Sequence, residues 1–116
     1  ETCRGDGLRV SQVLVNLLEN ACKYAPSGTI IEVGLEHKEH LWELSVSDRG
    51  PGVPESERAL IFRKFHRGGS EETRGTKGTG LGLYIVHRLM QGAGGRIEYR
   101  LRPGGGSIFA ASFPHR

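Results

Sequence analysis

The sequence predicts an α+β protein, a two-layer sandwich in which helices pack on one face of a mixed, mostly antiparallel sheet. Two amphipathic segments with helical spacing and two pairs of short alternating segments support this class, in the order helix, strand pair, loop, helix, strand pair. The length of 116 residues is that of one domain, so residues 1–116 are predicted to form a single domain.

The first helix is predicted to start at Gly7 or Leu8, where Asp6 can cap it. Its apolar residues recur with helical spacing as far as Tyr24 or Ala25. Pro26 then ends the helix, because the residue before a proline is pushed out of the helical region.

Two strands follow, and a hairpin is predicted to join them. Residues 29–38 alternate well enough for the first strand, and residues 41–47 form the second. In the second strand Trp42, Leu44 and Val46 share one face, and the other face carries Leu41, Glu43, Ser45 and Ser47.

The second half of the chain repeats this order after a loop. Residues 54–67 are predicted to hold a short helix, and residues 68–80 a mobile loop rich in glycine and charge. A second helix is predicted over residues 81–91, followed by strands over residues 96–101 and 107–113.

Composition narrows the class of protein. The net charge is +3, but the basic residues are interleaved with acidic ones, so we expect no nucleic-acid partner. No stretch approaches the roughly 18 apolar residues of a membrane span, and we expect no membrane contact from this segment. Cys3 and Cys22 are too few for a disulfide framework or a zinc site, which suits a reducing, cytoplasmic location.

The first helix carries a polar arc beside its core face. At 100° per residue, Gln12, Asn16, Asn20 and Lys23 fall within about 80° of one another. The predicted core residues lie on the neighbouring arc: Val13, Leu14, Leu17, Leu18 and Ala21. Asparagine oxygens suit Mg²⁺ and the lysine suits phosphate, but a solvated polar face explains the same pattern, and the helix alone leaves both interpretations open.

Glycine is the unusual residue, at 18 of 116, and eleven of the glycines lie between Gly50 and Gly95. Asp48 ends a strand and enters a turn containing Gly50 and Gly52, where a carboxylate could accept from an exocyclic amine. A tight turn stabilised by the aspartate side chain explains that segment by itself.

A second glycine-rich segment, residues 78–83, precedes the second helix, and its backbone N–H groups would form an anion site. It lacks both the Rossmann and the Walker spacing. Phosphate is favoured because four basic side chains lie nearby in sequence: Lys64, Arg67, Arg74 and Lys77.

Together these segments resemble the four boxes of the ATP-binding catalytic domain of sensor histidine kinases, whose fold is shared with gyrase, Hsp90 and MutL. Residues 12–24 resemble the asparagine box, 48–52 the first glycine box, 61–67 the phenylalanine box and 78–83 the second glycine box. The boxes occur in the family's order, and the resemblance extends from about Leu8 to Phe113.

The resemblance implies roles for the polar arc and for the first glycine box. Asn20 would bind Mg²⁺, and Asn16 would help to hold the metal and the phosphates. Lys23 would contact phosphate, and Tyr24 would pack on the adenine or the ribose. Asp48 would accept from the adenine amino group, in a pocket lined by Gly50 and Gly52.

The same resemblance implies an ATP lid from about Arg67 to Thr79. Phe62 and Phe65 would anchor the lid, and Arg67 would reach the terminal phosphates. The other nucleotide contacts implied are Lys77, Gly78, Thr79, Gly80, Leu81, Gly82 and Leu83.

The function implied is transfer of the γ-phosphoryl group of ATP to a histidine on a separate helical dimerisation domain, with a response regulator downstream. No histidine of this chain has the sequence context of that acceptor. The family's domain opens with a strand, and almost nothing precedes Asp6, so we expect a fragment or a degenerate first strand. The run around Lys64 and the Gly-rich final hairpin look most like the potassium-responsive sensor kinases, whose parent protein would be an inner-membrane sensor.

Three alternatives to a histidine kinase are considered. The gyrase and MutL relatives hydrolyse ATP with a glutamate at the position of Asn16, and an amide cannot serve as that base. The phenylalanine box argues against a serine kinase of anti-sigma type. The intact boxes argue against a nucleotide-sensing module without catalysis.

Overall fold

The computed structural model describes residues 6–63 and 82–114. Within them the chain forms two helices, four strands and one short 3₁₀ turn. Their bounds are α1 Asp6–Tyr24, β1 Glu32–Lys38, β2 Leu41–Asp48, the 3₁₀ turn Glu55–Glu57, α2 Gly82–Gly92, β3 Arg96–Leu101 and β4 Ser107–Pro114.

The four described strands form one sheet in the order β1-β2-β4-β3, and each of its three pairings is antiparallel. Helix α1 packs on β2 and on α2, and α2 packs on β3 and β4. The α+β sandwich with helices on one side of the sheet is thereby confirmed, although no parallel pair occurs among the described strands.

The core lies between the two helices and the sheet. On α1 the predicted face is the buried one, with Val13, Leu17 and Ala21 almost fully covered. On β2, Leu44 and Val46 are buried, whereas Trp42 on the same face is half-buried. Side chains from the second half of the chain complete the cluster: Val86, Met90, Ile97, Phe109, Ala111 and Phe113.

Strand β1 begins three residues later than predicted. The backbone N–H of Thr29 donates to the carbonyl of Pro26 at 3.1 Å, and the Thr29 hydroxyl donates to the same oxygen at 2.6 Å. Gly28 has a φ of +84°, in the left-handed region that favours glycine. Thr29, which the alternation pattern placed in the strand, therefore belongs to a turn, and its N–H and hydroxyl are bonded within that turn.

The short helix predicted within residues 54–67 is, in its described part, a 3₁₀ helix of three residues, Glu55–Glu57, followed by turns. Several backbone N–H groups there donate to the carbonyl three residues back, as from Leu60 to Glu57 and from Arg63 to Leu60, both at 2.9 Å. Bonds of this spacing are those of 3₁₀ turns and not of an α-helix. The segment after Arg63 lies outside the described residues.

Helix α2 begins at Gly82 and ends at Gly92, against a prediction of residues 81–91. Leu81 and the predicted loop over residues 68–80 lie outside the described part of the chain. Among the described helices, none is both long and apolar enough to cross a membrane.

Candidate functional site

The polar arc of α1 is not uniformly solvated. Gln12 is exposed, Asn20 and Lys23 are half-buried, and Asn16 is only 8% exposed. The Asn16 Oδ1 accepts from Gln12 Nε2 at 3.4 Å. The Asn16 Nδ2 is buried and has no hydrogen-bond partner among the described residues. An unpartnered buried N–H costs about 1–3 kcal/mol, so this amide is suited to a ligand that accepts from it.

The C-terminal turn of α1 holds Lys23 and Tyr24. The Lys23 Nζ lies 5.8 Å from the centroid of the Tyr24 ring, within the range of a cation–π contact. Tyr24 is 40% exposed, so an aromatic face and a positive charge lie beside each other at the edge of the domain.

Asp48 ends β2 and is buried, with 3% of its surface exposed. Its Oδ1 accepts from the backbone N–H of Gly50 at 2.7 Å. This is the turn-forming bond that the simpler interpretation of the segment predicted. Because a carboxylate has two oxygens, one is left for a partner other than Gly50.

The turn after Asp48 packs directly on the end of α1. A Cβ placed on Gly50 would lie 2.7 Å from the carbonyl oxygen of Tyr24. The backbone of Tyr24 and that of Gly50 therefore lie so close together that only glycine fits at position 50. This contact brings the asparagine helix and the first glycine turn, predicted separately from the sequence, to one edge of the domain.

Phe62 is half-buried against the core and contacts two elements. Its ring stacks on His87 of α2 with centroids 6.0 Å apart, and it meets Phe109 of β4 edge-on at 6.2 Å. The segment before the predicted lid is thus joined to the core, and His87 is partly buried.

Two predicted residues of the second glycine box are described. Gly82 is exposed at the first position of α2, and Leu83 is half-buried and packs on the core. The other predicted residues lie outside the described part of the chain: Phe65, Arg67, Lys77, Gly78, Thr79, Gly80 and Leu81.

Sequence reasoning missed a set of contacts around Val53, just after the first glycine turn. The Val53 N–H donates to the Tyr99 hydroxyl at 3.0 Å, and the Val53 carbonyl accepts from Arg58 Nε at 3.0 Å. Tyr99 lies in β3, 46 positions along the chain from Val53, and no local pattern relates the two.

A second missed feature is an ionic cluster on the sheet face opposite the helices. Glu43 accepts from Lys38 Nζ at 3.1 Å and from Arg100 Nη2 at 2.8 Å, although its side chain is only 9% exposed. Burial raises the pKa of Glu43, but the hydrogen bonds and charges of Arg100 and Lys38 outweigh it and hold that pKa below its ordinary value. This cluster lies on the other side of the sheet from α1.

A comparison with protein families matches residues 5–116 to the family described as histidine kinase-, DNA gyrase B- and HSP90-like ATPase. The chain is 46% identical over 104 residues to the histidine-protein kinase/phosphatase MprB of Mycolicibacterium vanbaalenii, covering 87% of this chain and 21% of that protein. It is 36% identical over 109 residues to the sensor protein KdpD of Clostridium acetobutylicum, covering 94% of this chain and 12% of that protein. The chain spans less than a third of the length of the curated relatives that it matches.

Solved structures agree in fold. The mycobacterial sensor histidine kinase MprB superposes with a TM-score of 0.82 at 30% identity, covering 96% of this chain and 73% of that one. The histidine kinase ThkA, solved in complex with the response regulator TrrA, superposes with a TM-score of 0.77 at 28% identity. The match covers 96% of this chain and 30% of that one.

The resemblance to the ATP-binding domain of sensor histidine kinases is therefore confirmed. The potassium-responsive type, KdpD, is one of several kinds of sensor kinase that the chain is similar to. The chain belongs to the histidine kinase-, DNA gyrase B- and HSP90-like ATPase family, as the ATPase-type domain of a two-component sensor histidine kinase.

Proposed function

We propose that this domain binds ATP with Mg²⁺ at the edge where the end of α1 meets the turn after Asp48. The observation that carries the proposal is the buried Asn16 amide, whose Nδ2 has no partner among the described residues. It lies on the same helix whose last residue contacts Gly50. A buried unpartnered donor on α1 and a buried carboxylate next to the turn that the end of α1 contacts are what a polar ligand of mixed character requires.

Asn16 and Asn20 fit a hydrated Mg²⁺ that also holds phosphate oxygens. Asparagine oxygens are hard neutral ligands, and Mg²⁺ in nucleotide sites takes few protein ligands besides phosphate and water. In its present orientation the Asn16 amide offers an N–H to a phosphate oxygen, and rotation of the amide by 180° would offer its oxygen to the metal instead. When bound, Mg²⁺ would neutralise part of the negative charge on the phosphates.

Lys23 and Tyr24 extend the site along the same edge. The Lys23 ammonium is half-buried at the end of α1 and would donate to a phosphate oxygen. The exposed face of Tyr24 would pack on the adenine or the ribose.

Asp48 would recognise the adenine base. The carboxylate is buried, one oxygen is bonded to Gly50, and the other would accept from the adenine amino group. Gly50 and Gly52 would line the adenine pocket with backbone, since the side on which a Cβ would stand is filled at Gly50 by the Tyr24 carbonyl and at Gly52 by the Tyr99 hydroxyl. Gly82 at the start of α2 would place backbone N–H groups near the phosphates. The residues proposed to complete the lid and the phosphate site are Phe65, Arg67, Lys77, Gly78, Thr79, Gly80, Leu81 and Leu83.

The proposed reaction is phosphoryl transfer to a histidine on the helical dimerisation domain of the parent protein. An amide at position 16 cannot deprotonate water, so hydrolysis would be slow and the γ-phosphoryl group would stay on ATP. When an imidazole nitrogen attacks the γ-phosphorus, the bond to the bridging oxygen would break and ADP would leave. The residues of this chain would then act by positioning and charge stabilisation, with Lys23 and the lid residue Arg67 as the proposed cations. A response regulator would receive the phosphoryl group in turn, a proposal supported by the solved complex of ThkA with TrrA.

Calorimetry with Mg-ATP tests the binding proposal. Wild type is expected to bind, whereas Asp48→Asn and Asn20→Ala are each expected to bind at least about tenfold more weakly. Asp48→Asn keeps an oxygen for the Gly50 N–H, so the turn is preserved. Glu98→Gln on the opposite face of the sheet is the matched control and should bind as wild type does. No heat with wild type, or equal affinities in all four proteins, would contradict the proposal.

The transfer proposal is tested by mixing this domain with the parent's dimerisation domain and γ-labelled ATP. Label is expected on a histidine, recognised because a phosphohistidine is lost in acid and survives in base. Transfer of label to serine, or release of phosphate without labelled protein, would contradict it.

A further inference from the structure

The segment that carries the first glycine turn is held by side chains rather than by the sheet. Both backbone polar atoms of Val53 are bonded to side chains, the N–H to Tyr99 and the carbonyl to Arg58, each at 3.0 Å. The Arg58 guanidinium also lies 5.2 Å from the centroid of the Tyr99 ring. The two side chains therefore form a clamp on one residue.

The position of the Tyr99 hydroxyl is itself fixed by the sheet. Tyr99 pairs with Phe109 across β3 and β4, and their rings meet at 5.4 Å in an edge arrangement. The hydroxyl of Ser107 donates to the Tyr99 oxygen at 3.3 Å. Ser107 is buried and lies directly opposite Asp48 in the β2–β4 register. The hydroxyl is thus tied to the same point of the sheet as the Asp48 carboxylate.

The glycine turn rests on this hydroxyl. A Cβ placed on Gly52 would lie 3.3 Å from the Tyr99 oxygen, and Gly52 has a φ of +80°. The turn is therefore bounded on two sides, by the carbonyl of Tyr24 at Gly50 and by the Tyr99 oxygen at Gly52. Its distance from the Asp48 carboxylate depends on both contacts.

We infer that Tyr99 is a positioning residue for nucleotide specificity: its hydroxyl sets the glycine turn at the distance from Asp48 at which the base amine is read. The inference rests on the proposed function, because it assigns a determinant of specificity to the same site. Tyr99 contacts the turn and not the ligand, so it acts through Gly52 and Val53. Without the hydroxyl the Val53 N–H and the Ser107 hydroxyl lose their shared partner, and the turn is free to move away from Asp48.

The test measures a ratio of affinities, which a loss of folded protein leaves unchanged. Mg-ATP and Mg-ITP are titrated into wild type, Tyr99→Phe and Ile97→Val. ITP carries an oxygen where ATP carries the exocyclic amine. Ile97→Val is the matched control, because it trims a buried side chain of the same strand and leaves both hydrogen bonds to Val53 in place. Tyr99→Phe keeps the ring and removes only the oxygen.

Wild type is expected to prefer ATP, and Tyr99→Phe is expected to reduce that preference about five- to tenfold, the effect of losing one well-placed hydrogen bond. Ile97→Val should keep the wild-type preference. Amide hydrogen exchange gives a readout without nucleotide: the Val53 amide should exchange faster in Tyr99→Phe and at the wild-type rate in Ile97→Val.

An unchanged ratio in Tyr99→Phe, or a ratio lowered equally by Ile97→Val, would overturn the inference while leaving ATP binding in place. A wild type that binds neither nucleotide would overturn the proposed function and the inference with it. A wild type that binds both equally would overturn the role of Asp48 and the inference, while ATP binding would stand.

Discussion

The carbonyl oxygen of Tyr24 lies against Gly50 so closely that a methyl group at position 50 would be 2.7 Å away. The same Cβ would lie 3.0 Å from Asp48 Oδ1. Backbone atoms cannot yield as the end of a flexible side chain can. This contact joins the helix that carries the asparagines to the turn that carries the aspartate.

Gly50→Ala is expected to displace the turn from α1. The overpacking should lower the free energy of unfolding by about 1–3 kcal/mol and weaken Mg-ATP binding at least tenfold. Thermal unfolding and calorimetry measure the two effects. Gly92→Ala is the control, since among the described residues a Cβ there approaches only the end of the Arg9 side chain, at 3.8 Å. An alanine at position 50 that leaves nucleotide affinity unchanged would show that this contact does not shape the site.

Asn16→Leu is expected to stabilise the nucleotide-free domain and to abolish nucleotide binding. The variant removes the buried Nδ2 that has no partner among the described residues, so the nucleotide-free domain should gain about 1 kcal/mol in urea unfolding. It should also lose Mg-ATP binding. A variant that is less stable than wild type and binds ATP normally would assign Asn16 to the core instead of the site.

Lys23→Met tests the charge at the end of α1. Methionine keeps an unbranched apolar stem beside the Tyr24 ring and removes the ammonium. We expect about fivefold weaker binding of Mg-ATP and a shallower dependence of affinity on salt, because one ion contact is lost. Calorimetry at two salt concentrations measures both. An unchanged salt dependence would place the Lys23 ammonium outside the phosphate site.

Spacing predicted the architecture and the core face of α1. The core face of α1 followed from the 100° rotation per residue, and the structure buries Val13, Leu17 and Ala21 on it. The resemblance of four separate segments indicated the family. Local pattern thus predicted which elements form and which helix carries the polar arc.

Contacts between distant residues could not be predicted in this way. Glu43 alternates to the face opposite the helices, where a carboxylate is expected to be exposed, yet Lys38 and Arg100 from other strands cover it. The Tyr99 hydroxyl reaches Val53 only because strand pairing places β3 beside the turn. Each depends on the register of the sheet, which the alternation of single strands does not fix.

Glu43→Gln is expected to change the pH dependence of stability. The pKa of Glu43 is lowered in the folded state, so its negative charge stabilises the fold. This contribution to the free energy of unfolding is present above the unfolded-state pKa of about 4.3 and is lost as the pH falls through the folded-state pKa. At neutral pH the variant should be about 1 kcal/mol less stable, since both basic partners are about half exposed and solvent weakens the pairs.

Urea unfolding at several pH values measures this difference in stability. The gap between wild type and Glu43→Gln should narrow as the solution is acidified below about pH 4.3. Affinity for Mg-ATP should be equal in the two proteins, because the cluster lies on the sheet face away from α1. A gap that stays constant down to acid pH would contradict the assignment.

The central claim is that the asparagine face of α1 and the glycine turn after Asp48 bind one ligand. Nitrogen-15 NMR during a titration with Mg-ATP tests it most directly, by following the side-chain amides of Asn16 and Asn20 and the backbone amides of Gly50 and Gly52. All four signals are predicted to shift along curves that fit a single dissociation constant, while the Gly34 amide of β1 stays in place. Shifts of the asparagines without the glycines, or of the two groups at different ATP concentrations, would contradict the claim.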